Sequence, residues 1–254
     1  FWTADVYEGA PVNVTSYLSV ISKGAASFIF AIILFTVFKT LTEMWKPVIY
    51  TLAVFTMTIG NLFALRQQNL KRFLAFSSIA QAGFILLGIL GTNDLGMTAI
   101  VYFVLIYVFT NLGAFGVVEA VSNASGVETI KGYNGLYKTN PKLSLLMTLA
   151  LFSLAGIPPV AGFFGKFFLF TSAASSGYYI LVLIAVLNAT ISLYYYLLVV
   201  RAMFIEKSDN PVPAFKSSPY MRVALLLCVA GIFAVGFASV IFDSIREISQ
   251  GFLY

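Results

Sequence analysis

The sequence predicts an all-α polytopic membrane protein, and three observations predict it. Of its 254 residues 60% are hydrophobic and only 10% are charged, where a soluble domain carries roughly 25% charged residues. The mean hydropathy is +0.93. The apolar residues fall in continuous runs near the ~20 residues that cross a bilayer as a helix, without the alternation of a membrane β-strand. A net charge of +5 and a pI of 9.2 would suit nucleic acid, but the basic residues are scattered between apolar segments and form no stripe. No nucleic-acid partner is expected. With one cysteine, Cys228, no intrachain disulfide forms, and without histidine a Cys/His metal site is excluded. Cys228 reads as a buried thiol in an apolar segment.

About seven complete transmembrane helices are expected, one of them broken. Residues 1–10 read as the end of a preceding helix running into a turn at Glu8, Gly9 and Pro11. Because no basic region precedes an apolar one, no signal peptide is expected, and the mid-element opening reads as a fragment of a longer protein. The first complete segment spans residues 11–38, and Pro47 is placed in the first turn of the second, which ends near Leu65. A basic link, Arg66 to Arg72, leads to the third segment at residues 73–90, and the composition of residues 91–96 makes a turn. The fourth segment covers residues 97–121. The longest polar link, Ser122 to Lys142, precedes the fifth, residues 143–172; the sixth covers 178–204 and the seventh runs from Met221 to about Phe242, followed by a short amphipathic tail.

The fifth segment cannot be one regular helix. Pro158 and Pro159 lack N–H groups and crowd the preceding turn, so the helix breaks at residues 156–160, with Gly156 at its edge. Irregular backbone at membrane depth is tolerated only where it is buried in protein or lines a cavity. The break is a functional candidate for that reason.

Orientation follows from basic residues in alternate links. Arg66, Lys71, Arg72, Lys131, Lys138, Lys142, Arg201, Lys207, Lys216 and Arg222 fall on one side, against Lys39, Lys46 and Arg246 on the other. The first set is expected in the cytoplasm, which puts the start of the chain there and its C-terminus opposite. Of the 15 basic residues, only Lys23 and Lys166 then remain inside the membrane. Lys23 lies 12 residues from Pro11 and 16 from Lys39, on the order of 20 Å from either end at 1.5 Å per residue. A charged side chain at that depth costs at least ~2.5 kcal/mol, and such residues mark ion or substrate paths. An amine taken out of water gives up its proton more readily, as a proton relay requires. The plainer reading makes each lysine a tie between helices, and the prolines a packing kink. Ser22, Ser27, Thr56, Asn61, Ser77, Ser78, Gln81, Thr110, Asn111, Ser153, Asn188 and Ser192 are candidate supports for a water chain, each equally readable as an interhelical hydrogen-bonding residue. Glu119 reads as interfacial, and Asp5 and Glu8 as solvated helix-end residues. No phosphate loop, dinucleotide fingerprint, metal cluster or nucleophile elbow is present, so no cofactor is expected in this chain.

The runs WTADVYEGAP (Trp2 to Pro11), ISKGA (Ile21 to Ala25), NLKRFLAFSSIAQAG (Asn69 to Gly83), NLGAFG (Asn111 to Gly116), SLAGIPPVAGFFGKF (Ser153 to Phe167) and SLYYYL (Ser192 to Leu197) resemble, in order, the antiporter-like subunit N family of bacterial NADH-quinone oxidoreductase, respiratory complex I. The resemblance implies that fold, built of two inverted five-helix repeats with a broken helix in each. Residues 11–40 would be the last helix of the first repeat, 47–206 the second repeat, and 219–254 the final helix and tail. It implies proton translocation in the cell inner membrane, coupled to quinone reduction elsewhere, with Lys23 and Lys166 as relay groups. Ser22, Ser78, Gln81, Asn111 and Ser153 would support them, and Gly156, Pro158 and Pro159 would make the break. NADH, FMN, Fe–S clusters and quinone would lie in other subunits, and the partners would be membrane-arm subunits, lipid, water and protons. Relatives often have histidine where this chain has Gln81, which can only hydrogen-bond or hold water. Two other transporter readings stay open: a multisubunit sodium/proton antiporter subunit, which DVYEGAP disfavours, and the photosynthetic ferredoxin–plastoquinone relative. A structural scaffold with vestigial lysines is the third.

Overall fold

The computed structural model describes residues 2–91, 94–237 and 239–250, and helices make up nearly all of it. Helix α1 spans Trp2–Gly9. Helices α2 (Val12–Tyr17) and α3 (Lys23–Thr36) are joined by a π-helical turn at Leu18–Ser22 into one crossing. Helices α4 (Thr42–Ala64), α5 (Leu70–Leu90) and α6 (Asp94–Ser125) follow. After the single turn α7 (Leu136–Thr139) come α8 (Pro141–Ala155) and α9 (Ala161–Ser175), then α10 (Tyr179–Phe204), α11 (Pro219–Phe237) and α12 (Ser239–Gln250). Among the described residues six helical stretches are long and apolar enough to cross a membrane. The α8/α9 pair is the predicted broken segment. The chain is a multi-pass membrane protein.

Helix α5 forms the axis of the bundle. Of its most apolar stretch 83% is buried, against 22% for Val12–Thr36 and 28% for α11. Its run of small residues, including Ala75, Ser77, Ser78 and Ala80, is fully buried, because small side chains let neighbouring backbones approach closely inside a membrane bundle. A second apolar cluster, with Tyr102, Val160, Ile232 and Ile245, joins α6, α9, α11 and α12. There Tyr102 donates to the Val235 carbonyl at 2.8 Å.

Several expected boundaries shift for local reasons. Pro47 lies inside α4, not in its first turn. The missing N–H would have faced the carbonyl of Glu43, and both residues are exposed at the start of the helix, so the lost bond is not in a packed interior. Helix α5 starts at Leu70, earlier than the expected Phe73, because the Asn69 side chain caps it by accepting from the amides of Lys71 and Arg72 at 2.8 and 3.2 Å. Asp5 and Glu8 are not simply solvated. Both pair with Arg72, at 2.8 and 2.7 Å.

The links after α4, α6 and α10 knit together at one end of the bundle. Leu70 N donates to the Glu128 carbonyl and Ile130 N to the Gln68 carbonyl, each at 2.8 Å. The Glu128 carboxylate receives Lys71 at 3.1 Å. Gly135 N donates to the Ala202 carbonyl at 3.0 Å. The longest polar link is therefore built structure, with Tyr133 buried inside it. Burial, with Glu128 nearby, pushes the Tyr133 phenol above its ordinary pKa and keeps it protonated.

Candidate functional site

The break is made by two glycines and two prolines. Helix α8 ends at Gly156, whose φ of +85° puts it in the left-handed region that only glycine adopts without strain. Pro158 and Pro159 carry the chain across without donors, joined by a cis peptide bond. Helix α9 then starts against α8 so closely that a Cβ on Gly162 would lie 1.7 Å from the Ser153 carbonyl oxygen. Glycine is required there by proximity. The Gly162 amide donates to Ser153 Oγ at 3.1 Å, and that hydroxyl pairs with Thr110 Oγ1 at 2.9 Å.

Lys166 closes over the broken end. A helix leaves its last four carbonyls without intrahelical partners. Lys166 Nζ donates to those of Leu154 and Ala155 at 2.8 and 3.0 Å. The side chain is 4% exposed, and the ammonium lies 4.6 Å from the centre of the Phe84 ring. The negative end of the α8 dipole adds to the attraction. Gln81 Nε2 donates to the same Leu154 carbonyl at 3.0 Å and to Tyr196 Oη at 3.3 Å, while its Oε1 has no partner.

Lys23 follows the π-turn and is half-buried. Its amine donates to the Ser78 carbonyl at 2.7 Å and also meets Ser78 Oγ. That hydroxyl pairs with Tyr107 Oη at 2.7 Å. Ser78 and Gln81 are one turn apart on α5, roughly 5 Å by helical rise; Ser78 holds Lys23 directly, and Gln81 shares the Leu154 carbonyl with Lys166. A cavity of about 10 Å³ is lined by partners from both sites, Tyr107 on the Lys23 side and Leu154 and Gln81 on the Lys166 side, together with Thr110, Ser153 and Gly162, about the volume of one water-sized probe.

The remaining candidates separate clearly. Ser22 is exposed, and next to Lys23 on the same helix it points away from it and takes no part in the cluster. Asn111 is buried but bonds Ser19 Oγ at 2.8 Å, tying α6 to the π-turn. Asn61 and Asn188 bond each other at 2.9 Å, with Tyr195 donating to Asn61 Oδ1 at 2.8 Å, which ties α4 to α10. Ser192 bonds back to its own helix at the Ala189 carbonyl. Tyr107 belongs to the Lys23 cluster and escaped the sequence reading, since a tyrosine on an apolar face looks like core. Among the described residues no group of three or more His, Cys, Asp or Glu is placed to hold a metal.

The model of the family described as NADH:quinone oxidoreductase/Mrp antiporter, TM, matches residues 1–192. NADH-quinone oxidoreductase subunit N of Phocaeicola vulgatus is 53% identical over 247 residues, covering 97% of this chain and 52% of the relative. The chain spans about half the length of the curated relatives it matches. A chain of respiratory complex I from Thermus thermophilus with bound aureothin superposes with a TM-score of 0.76 at 31% identity, over 93% of this chain and 52% of that one. A chain of the Mrp complex from Dietzia sp. DQ12-45-1b gives 0.87 at 22% identity, over 100% and 55%, a likeness of fold alone.

Proposed function

Because the chain belongs to the NADH:quinone oxidoreductase/Mrp antiporter transmembrane family, we propose that it forms part of a proton-translocating membrane-arm subunit of an NADH-quinone oxidoreductase. The observation that carries this reading is the pair of amines beside α5, Lys23 on the hydroxyl cluster at Ser78 and Lys166 on the broken end of α8, where it shares the Leu154 carbonyl with Gln81 of α5. Lys23 passes a proton laterally to Lys166, which exchanges it with the non-cytoplasmic side. Redox energy arrives from other subunits, which hold NADH, FMN, Fe–S clusters and quinone, and alters the proton affinity of both amines through field and hydration. Other membrane-arm subunits and lipid cover the outer helices, and the knitted end of the bundle faces the cytoplasm. Residues 47–206 form the second inverted repeat.

Ser78 and Gln81 are positioning residues in this scheme, the first orienting Lys23 and the second sharing a carbonyl with Lys166. The test is proton pumping in vesicles by the complex carrying Lys166→Ala in the full-length subunit. Pumping falls at least tenfold while assembly persists. Undiminished pumping with normal assembly would sink the assignment.

A further inference from the structure

Where α8 and α11 begin, a cleft of about 500 Å³ opens at the edge of the bundle. Lys142, Lys216 and Arg222 line it, and no carboxylate does. All three are exposed. Among the described residues Lys142 and Lys216 have no ion pair or side-chain hydrogen bond, and Arg222 engages only Nε, which donates to the Ser217 carbonyl at 2.9 Å. The first turn of α8 starts at Pro141 without a side-chain cap and lines the same space, so the positive end of the helix adds to the field of the three cations. Like charges gathered without a counter-charge repel, and an anion between them relieves that repulsion.

The cleft is preformed. The Asn140 side chain donates to the Pro213 carbonyl at 3.1 Å and accepts from Phe215 N at 3.3 Å, which fixes the loop against α8. Below the cations the wall is apolar, with Leu146, Leu225 and Leu226, and Leu226 is 67% exposed. A free inorganic anion would match the rim and leave that wall uncovered. A basic pocket between membrane helices at the water boundary suits an anionic lipid headgroup. We propose that this cleft binds the phosphate of an anionic phospholipid between Lys142, Lys216 and Arg222, with an acyl chain along Leu146, Leu225 and Leu226. No residue of either lysine site lines the cleft, so the proposal stands apart from proton transfer.

The experiment places a tryptophan at the wall by Leu226→Trp in the full-length subunit, in phosphatidylcholine nanodiscs doped with brominated phosphatidylglycerol or brominated phosphatidylcholine. The parent protein provides the background from native tryptophans. Brominated phosphatidylglycerol quenches the new tryptophan at least threefold more than brominated phosphatidylcholine at equal mole fraction. Adding Lys142→Gln, Lys216→Gln and Arg222→Gln brings the two lipids level; Arg222→Gln alone does so in part and is the fallback if the triple variant does not fold. Equal quenching by both lipids with the cations intact overturns the proposal. So does loss of the difference on adding inorganic phosphate, which would make the cleft a free-anion site.

Discussion

At Lys166 the backbone is cut to receive the ammonium, whereas at Lys23 the receiving helix stays whole. The carbonyls of Leu154 and Ala155 are left over at the end of α8; without the lysine that of Leu154 would keep only Gln81 and that of Ala155 would lose its side-chain partner. The Ser78 carbonyl belongs to the middle of α5 and offers Lys23 only its second lone pair. The two amines thus differ in what their removal leaves behind. Lys166 completes the fold of the break as well as carrying charge, while Lys23 sits on a structure that is complete without it. A purely structural role would be expressed at Lys166 far more than at Lys23.

Four measurements break or sharpen that contrast. Gly162→Ala drives a Cβ into the Ser153 carbonyl and destabilises the full-length subunit by about 3 kcal/mol in thermal unfolding; a loss under about 1 kcal/mol would mean the break yields easily. Lys166→Met leaves the Ala155 carbonyl without its lysine partner and lowers stability by about 2 kcal/mol, while Lys23→Met changes it by about 0.5 kcal/mol or less. Equal losses would erase the distinction between the two sites. Ser78→Ala removes the hydroxyl shared by Lys23 and Tyr107, costs about 1 kcal/mol and slows pumping severalfold, whereas exposed Ser22→Ala leaves both unchanged. Pumping unaffected by Ser78→Ala would remove the hydroxyl cluster from the relay. The smallest effect lies outside both sites: Tyr133→Phe deletes a buried hydroxyl without a partner and raises stability by up to about 1 kcal/mol. A decrease on calorimetry would show that the hydroxyl is satisfied in the protein.

The parts legible in the sequence were those where a residue violates its surroundings. Lys23 and Lys166 stand out because an amine in an apolar run needs a reason, and Pro158 with Pro159 announces a break whatever the tertiary context. The partners were less legible, because they obey their surroundings. Tyr107 occupies a position any core aromatic would take, and only the fold turns its hydroxyl toward Ser78. The π-turn at Leu18–Ser22 has no proline or glycine to mark it, and nothing in the sequence tells that Ser22 is exposed beside half-buried Lys23. Pro47 reads as a helix start by preference, yet an exposed preceding turn tolerates it inside α4. Glu128 sits in a glycine-punctuated link that composition describes as loose, and its role in pairing Lys71 arises only when that link folds back onto the start of α5.

The Leu154 carbonyl, which accepts from both Gln81 and Lys166, bears on how charge moves through the proposed relay. A Grotthuss wire needs every member to take a proton on one side and release one on the other. A carbonyl oxygen only takes. That oxygen is therefore an insulator set among conductors, and a hop from the Lys23 side has to go around it through groups that do both, the Ser78 hydroxyl bonded to Tyr107 and then the hydroxyls of Tyr107, Thr110 and Ser153 along the small cavity.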